Sequence, residues 1–496
     1  MSLPRLVLSL SVSLLGAVSV GGCSSSDAPG PAGATSGEIV PAPSECSEVG
    51  ANGCDAQPDD KLPTARQTQQ ATSIASLADT LADSSAWHRA VDAKALKERE
   101  RKAILEGDGS DGVFFGAAWR TMNAFPQGHQ GFFSDAPNVC GKAIPFQKSS
   151  RFGVCGRPSS TGLAVTIARA GNRLGLKLGD VITSAGSDTG DALFEAAYLR
   201  PTCGDVYPAA SGRRYLGAAS FFGTVPAGMK LTVRAASGTT RDVVVPAEAD
   251  AQPMDCGDVF GRSTQIYAEA KVRPDGVAVI RLPSFFPFDK PFPTNPTQAD
   301  FDTFVAAYEA EIQKVFDTVK TAPGIVWDAR GNTGGITSVG LHIVAGFASA
   351  RNTALSYCRT RVASSSPPSF ETARYAEYAI EKGGPFTYAG KVAVVTDGLA
   401  YSAGDYFPRA VARGSDAPLI GAASAGAYGG GRAPIAIDGP PKMSANFDPT
   451  ACFDASTNKP LEGAPLAPKV AIEYDPRDLA TGKDTVIERA VKELGL

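Results

Sequence analysis

Apolar and polar positions along the second half of the chain predict strands separated by helices. Residues 275–285 (DGVAVIRLPSF), 324–335 (GIVWDARGNTGG) and 391–406 (KVAVVTDGLAYSAGDY) each carry a short apolar, β-branched run that breaks off at polar, Pro or Gly positions. Runs of this kind are buried on both faces, so they predict neighbouring parallel strands joined by crossovers. Residues 300–321 supply one crossover, because Phe301, Phe304, Val305, Tyr308, Ile312 and Val319 fall on one side of a helix. Residues 403–413 predict a second helix directly after the third run. From Ala247 onward the pattern is that of an α/β fold with a mostly parallel sheet. Upstream, residues 74–105 combine helical spacing with many charges and predict one or two exposed helices.

Length and composition narrow the class. At 496 residues the chain has room for two or three domains. A formal charge of −4 with no basic cluster argues against nucleic acid as a partner. The start, MSLPRLVLSLSVSLLGAVSVGGC, has one Arg, an apolar run from Leu6 to Val20 and small residues before Cys23. It is too short and weakly flanked for a membrane span and predicts a signal peptide over residues 1–22. Val-Gly-Gly-Cys resembles a bacterial lipoprotein box, which would make Cys23 the lipidated residue; the alternative is an ordinary cleavage site beside an incidental cysteine. The Ser-, Gly- and Pro-rich stretch 23–70 reads as a flexible tether.

Eight of the nine cysteines follow Cys23, an even number that suits disulfides in an oxidising compartment. Their scatter lacks the spacing of a zinc site, so no metal is expected. Proximity pairs Cys46 with Cys54 and Cys140 with Cys155; Cys203 with Cys256 and Cys358 with Cys452 follow by elimination.

Candidate chemistry centres on Ser402. A strand, a turn and a helix start would expose its hydroxyl and leave the N–H of Ala403 free for an oxyanion, although serines at helix starts are ordinarily N-caps. Asp328, Arg330 and Asn332 stand at every second position before Gly334 and Gly335. The blocks IRLPSF, DARGNTGG, TDGLAYSAGDY and GAASAGAYGGG, in that order, resemble the C-terminal processing (tail-specific) serine peptidases and their relatives, the tricorn core proteases. The resemblance runs from about Ile104 to the C-terminus. It implies an α/β peptidase core of ClpP/crotonase-like type over residues 251–496, an N-terminal helical region (71–150) and an inserted PDZ-like domain (151–250). It further implies a protein or peptide substrate and no cofactor.

The processing branch uses a lysine as base, but Ala427 occupies the matching position and cannot accept a proton. The tricorn branch uses histidine and glutamate, matched here by His129 in the QGHQG loop and by Glu462 in LEGAPLAP. The resemblance thus implies Ser402 as nucleophile, His129 as base, Glu462 orienting it, and Ala403 with Gly334 or Gly335 as oxyanion donors. Asp328, Arg330 and Asn332 are expected to support the turn that aims the glycines. Gly128 departs from the serine that tricorn enzymes carry before the histidine. His88 reads as a surface or packing residue and His342 as a buried structural one. The PDZ-like stretch implies peptide capture by strand addition at Gly162, Leu163 and Ala164, unless the insertion 202–222 covers the groove or the module is only a scaffold. An esterase is disfavoured, because GLAYSAG lacks the glycine two residues before the serine. The competing class is an inactive peptidase-fold lipoprotein that binds protein C-termini.

Overall fold

The computed structural model describes residues 62–132, 139–248, 254–286, 297–349, 352–381 and 383–496. The leader, Cys23, Cys46 and Cys54 lie outside them.

A six-stranded sheet forms the centre, in the order Glu269–Val272, Ala278–Arg281, Gly324–Asp328, Lys391–Thr396, Leu419–Gly421, Val470–Ala471. The first pair is antiparallel and every later pair parallel. Gly324–Asp328 is buried along its whole length, as a strand covered on both faces must be. One face packs against the helices Gln298–Asp317, Thr337–Ala345 and Ala403–Gly414 through Ile280, Tyr308, Ile312, Trp327, Val344 and Phe407. The other face carries the helix Thr485–Leu494 through Val326, Val395, Ile487 and Ala490.

The N-terminal helices are not the exposed pair expected. Three form, Ala65–Ser84, Ala93–Leu105 and Asp111–Ala124, capped by Thr64, Asp92 and Ser110. The first begins inside the stretch read as tether. Ile74, Leu77 and Leu81 are buried with Trp119, Met443 and Ala445, and the Gln69 and Gln70 amides donate to the carbonyls of Asp438 and Pro440. Their apolar side therefore belongs to the main core.

Residues 154–244 form an antiparallel unit, ordered Val154–Ser159, Gly162–Ala168, Val181–Ala185, Lys230–Arg234, Thr240–Val244. The peptide-binding expectation at Gly162, Leu163 and Ala164 is corrected. All three are buried and pair with Ser159, Pro158 and Arg157 on one side, and Leu163 and Ala164 pair also with Ile182 and Val181 on the other, so those two present no free strand edge. The insertion after Arg200 holds a helix, Ala210–Thr224, whose Phe221 and Phe222 enter the unit's core beside Phe152 and Val154.

Three disulfides close: Cys140–Cys203, Cys155–Cys256 and Cys358–Cys452. The last matches the expectation; Cys140 with Cys155 and Cys203 with Cys256 do not occur. Nearness in sequence misled there, because backbone pairing decides which cysteines meet. Met254–Asp255 returns beside Ser149–Ser150 and brings Cys256 to Cys155, while Phe146 bridges to Cys203.

Candidate active site

Ser402 follows the Lys391–Thr396 strand by one tight turn. Asp397 Oδ1 accepts from the N–H groups of Gly331 (2.9 Å) and Leu399 (3.0 Å), tying the ends of two adjacent strands together. Tyr401 N donates to Asn332 O at 2.9 Å and Ser402 N to Ala427 O at 3.1 Å. Held on both sides, Ser402 adopts φ 58° and ψ −122°, a conformation costing a non-glycine residue about 1–3 kcal/mol. It heads the helix Ala403–Gly414 yet makes no side-chain cap hydrogen bond, so the ordinary structural use of a serine here is not made.

Around the serine, the N–H groups sort themselves. That of Gly334 donates to Asn332 Oδ1 at 2.9 Å, which removes Gly334 from the expected oxyanion donors. The N–H groups of Ala403 and Gly335 have no acceptor among the described residues. Gly334 has φ +93°, and a Cβ there would stand 2.6 Å from Ser402 Cβ, so only glycine lets this turn lie against the serine. Asn332 Nδ2 also donates to Leu282 O (2.9 Å), joining all three strand-end blocks. Arg330 pairs with Asp328 and Asp484 and fixes the turn to the C-terminal helix. Burial pushes the Asp328 carboxyl up, but Arg330 and Arg262 more than offset it and leave the group below the usual range.

His129 reaches this turn because Gly131–Phe132 pairs with Met443–Phe447 and Gly204–Asp205. Its N–H donates to the Tyr401 hydroxyl, and its ring centroid lies 5.0 Å from that of Tyr401, the residue before Ser402. His129 is 6% exposed, and burial together with the charge of Arg432 pushes its imidazole down to about 3. Nδ1 has no hydrogen-bond partner and stands 3.8 Å from Asp448 Oδ2. Among the described residues no hydrogen bond joins the Ser402 hydroxyl to the imidazole, and catalytic contacts in an empty site are often longer than in the reacting complex.

Glu462 is buried and reaches His129 through backbone, not through the ring as expected. Oε1 accepts from Gly128 N at 2.6 Å, and Oε2 from Tyr428 N (2.8 Å) and Gly429 N (3.1 Å). Burial lifts its carboxyl to about 7 against the pull of those donors. A Cβ on Gly128 would stand 2.8 Å from Glu462 Oε1 and 2.7 Å from Ala427 Cβ, so a serine does not fit there without rearrangement. Asp405, three residues after Ser402, was missed in the sequence. It accepts from Gly426 N (2.8 Å) and Ala427 N (2.9 Å), and burial pushes it up to about 8. An acid in the first turn of a helix reads as an ordinary dipole partner, which hid its role in holding the loop 424–429.

His88 packs beside Trp87, with ring centroids 5.0 Å apart. His342 is not buried as expected; its Nδ1 bonds Glu309 on a half-exposed surface, which raises its pKa.

A strained serine at a strand-to-helix turn, beside unpaired N–H groups and a buried imidazole, is the arrangement of a serine hydrolase. Residues 276–439 match the profile Peptidase family S41. The structure is similar to that of mature CPAF complexed with lactacystin, with TM-score 0.60, 11% identity and coverage of 87% of this chain and 98% of that one. Mature CPAF alone gives TM-score 0.60 at 12% identity, covering 87% of this chain and 97% of that one. The photosystem II D1 C-terminal processing protease matches at TM-score 0.40 and 13% identity, over 87% and 98% of the two chains. At these identities the likeness to CPAF is one of fold. No curated protein matches the sequence.

Proposed function

We propose that the chain is an exported, lipid-anchored serine endopeptidase working through Ser402 and His129, an arrangement closer to the tricorn branch than to the Ser-Lys branch. The carrying observation is the strained Ser402, whose hydroxyl makes no cap while its two neighbouring N–H groups stay unpaired. His129 accepts the hydroxyl proton through Nε2 as Oγ adds to the peptide carbonyl, and the N–H groups of Ala403 and Gly335 stabilise the oxyanion. The imidazolium then protonates the leaving amine, and water releases the acyl group by the same steps in reverse. Burial and Arg432 keep the resting imidazole neutral, which leaves a lone pair in place but lowers its basicity, so the base role needs a partner that stabilises the imidazolium. Glu462 secures the backbone that carries it.

The parallel sheet with helices on both faces supports a ClpP/crotonase-like core, and residues 154–244 are read as the PDZ-like unit, here as scaffold. The apolar leader and Cys23 support export and anchoring in the cell envelope. A fluorophosphonate probe tests the assignment: it should label the purified wild type and not Ser402→Ala, whereas equal labelling of both would discard it. Absence of labelling and turnover in the wild type would favour the inactive, peptide-binding lipoprotein. Cys23→Ser should move the protein from the detergent to the aqueous phase on partitioning.

A further inference from the structure

Asp448 lies in the loop after the Met443–Phe447 strand, the strand that pairs with Gly131–Phe132 and so sets the height of His129. Its two oxygens have opposite surroundings. Oδ1 is saturated, accepting from Thr450 N (2.8 Å), Thr450 Oγ1 (2.6 Å) and Gly431 N (3.1 Å). Oδ2 is buried with no partner, and the atom it faces at 3.8 Å, His129 Nδ1, is also buried with no partner. Two buried polar atoms are costly to leave unpaired, and a movement of about 1 Å would join them in a normal hydrogen bond. Gln127, whose amide also faces this carboxylate, donates from Nε2 to Thr450 O at 3.1 Å. Glu462, the other acid nearby, has both oxygens on backbone N–H groups.

We propose that Asp448 is the positioning residue for His129, its Oδ2 accepting from Nδ1–H so that Nε2 keeps the lone pair that receives the Ser402 proton. The inference rests on the Ser402–His129 reading above. Burial pushes the Asp448 carboxyl well up; the positive charge that Ser402 attack puts on the imidazole 3.8 Å away opposes this, favours the carboxylate and draws it in. The pair thus tightens at the moment of reaction, when the developing charge needs it, and moves no proton of its own.

Asp448→Asn separates this from a purely structural role. The amide oxygen can keep the Oδ1 contacts to Thr450 and Gly431, so the fold survives, while the new NH₂ donates to Nδ1 and forces the proton onto Nε2. With only three histidines in the chain, the imidazole ¹⁵N resonances are assignable by comparison with His129→Ala. The expected result is an Nδ1–H tautomer in the wild type, an Nε2–H tautomer in Asp448→Asn, and kcat reduced about 10³- to 10⁴-fold with little change in KM. An Nε2–H tautomer in the wild type between neutral and alkaline pH, or an Asp448→Asn variant with unaltered tautomer and kcat, overturns the proposal. Full activity in His129→Ala overturns instead the reading beneath it, so the two failures are distinguishable.

Discussion

At the scale of single residues, strain and burial make opposite predictions for Ser402 and its neighbours. Ser402→Gly should abolish turnover yet raise stability by up to about 1 kcal/mol, because glycine accepts φ 58° without strain; urea unfolding of the two forms checks it. Glu462 titrates at about 7 folded against an ordinary 4.5, so the native state holds its proton more tightly. Its contribution is full below 4.5 and is lost as pH rises through 7. Asp405, raised to about 8, acts in the same direction, whereas His129, lowered to about 3, favours the fold increasingly as pH climbs from 3 towards 6.5. Unfolding free energies measured from pH 5 to 8 should therefore decline less steeply in Glu462→Gln than in the wild type. Ser402 could be singled out because its strand, turn and helix are contiguous. Asp448 could not, because its relation to His129 exists only once Gly131–Phe132 pairs with Met443–Phe447.

At the scale of elements, periodicity read regular segments well and packing-driven ones poorly. The crossover helix expected at 300–321 forms as Gln298–Asp317, and the apolar run that opens the block 391–406 forms as Lys391–Thr396. The helix Ala210–Thr224 falls in the stretch 202–222, which the sequence marks only as an insertion, and ASGRRYLGAASFFGT mixes small residues with aromatics. Those small residues are what admit it. A Cβ on Gly217 would lie 2.2 Å from Phe194 O in the neighbouring helix Asp191–Leu199. Gly217→Val should drive the two helices apart and destabilise the unit by about 1–3 kcal/mol, read by chemical denaturation and by loss of amide protection in residues 191–224. The same helix lies against Val154–Ser159 through the unit's core, so loosening it should also raise exchange in that strand.

At the scale of the whole molecule, the disulfides and the strand ribbon at residues 149–150 and 254–255 decide how the antiparallel unit is mounted. Cysteine connectivity was illegible in the chain, since Cys155 and Cys256 are 101 residues apart and meet only when that ribbon closes. A ring of that size restricts the unfolded chain by about 4.7 kcal/mol on the entropy account. The Cys155→Ser/Cys256→Ser double variant should fall short of the wild type by no more than about that amount in urea unfolding, with reductant abolishing the difference. Residues 150 and 254 stand side by side at the ribbon, but Cys203 and Gly204–Asp205 return to Cys140 and Gly131–Phe132, so the inserted unit is clamped to the peptidase body at a second place. Cutting the unit out between those residues should therefore unseat Gly131–Phe132 and the His129 loop with it, read as lost amide protection in residues 128–132.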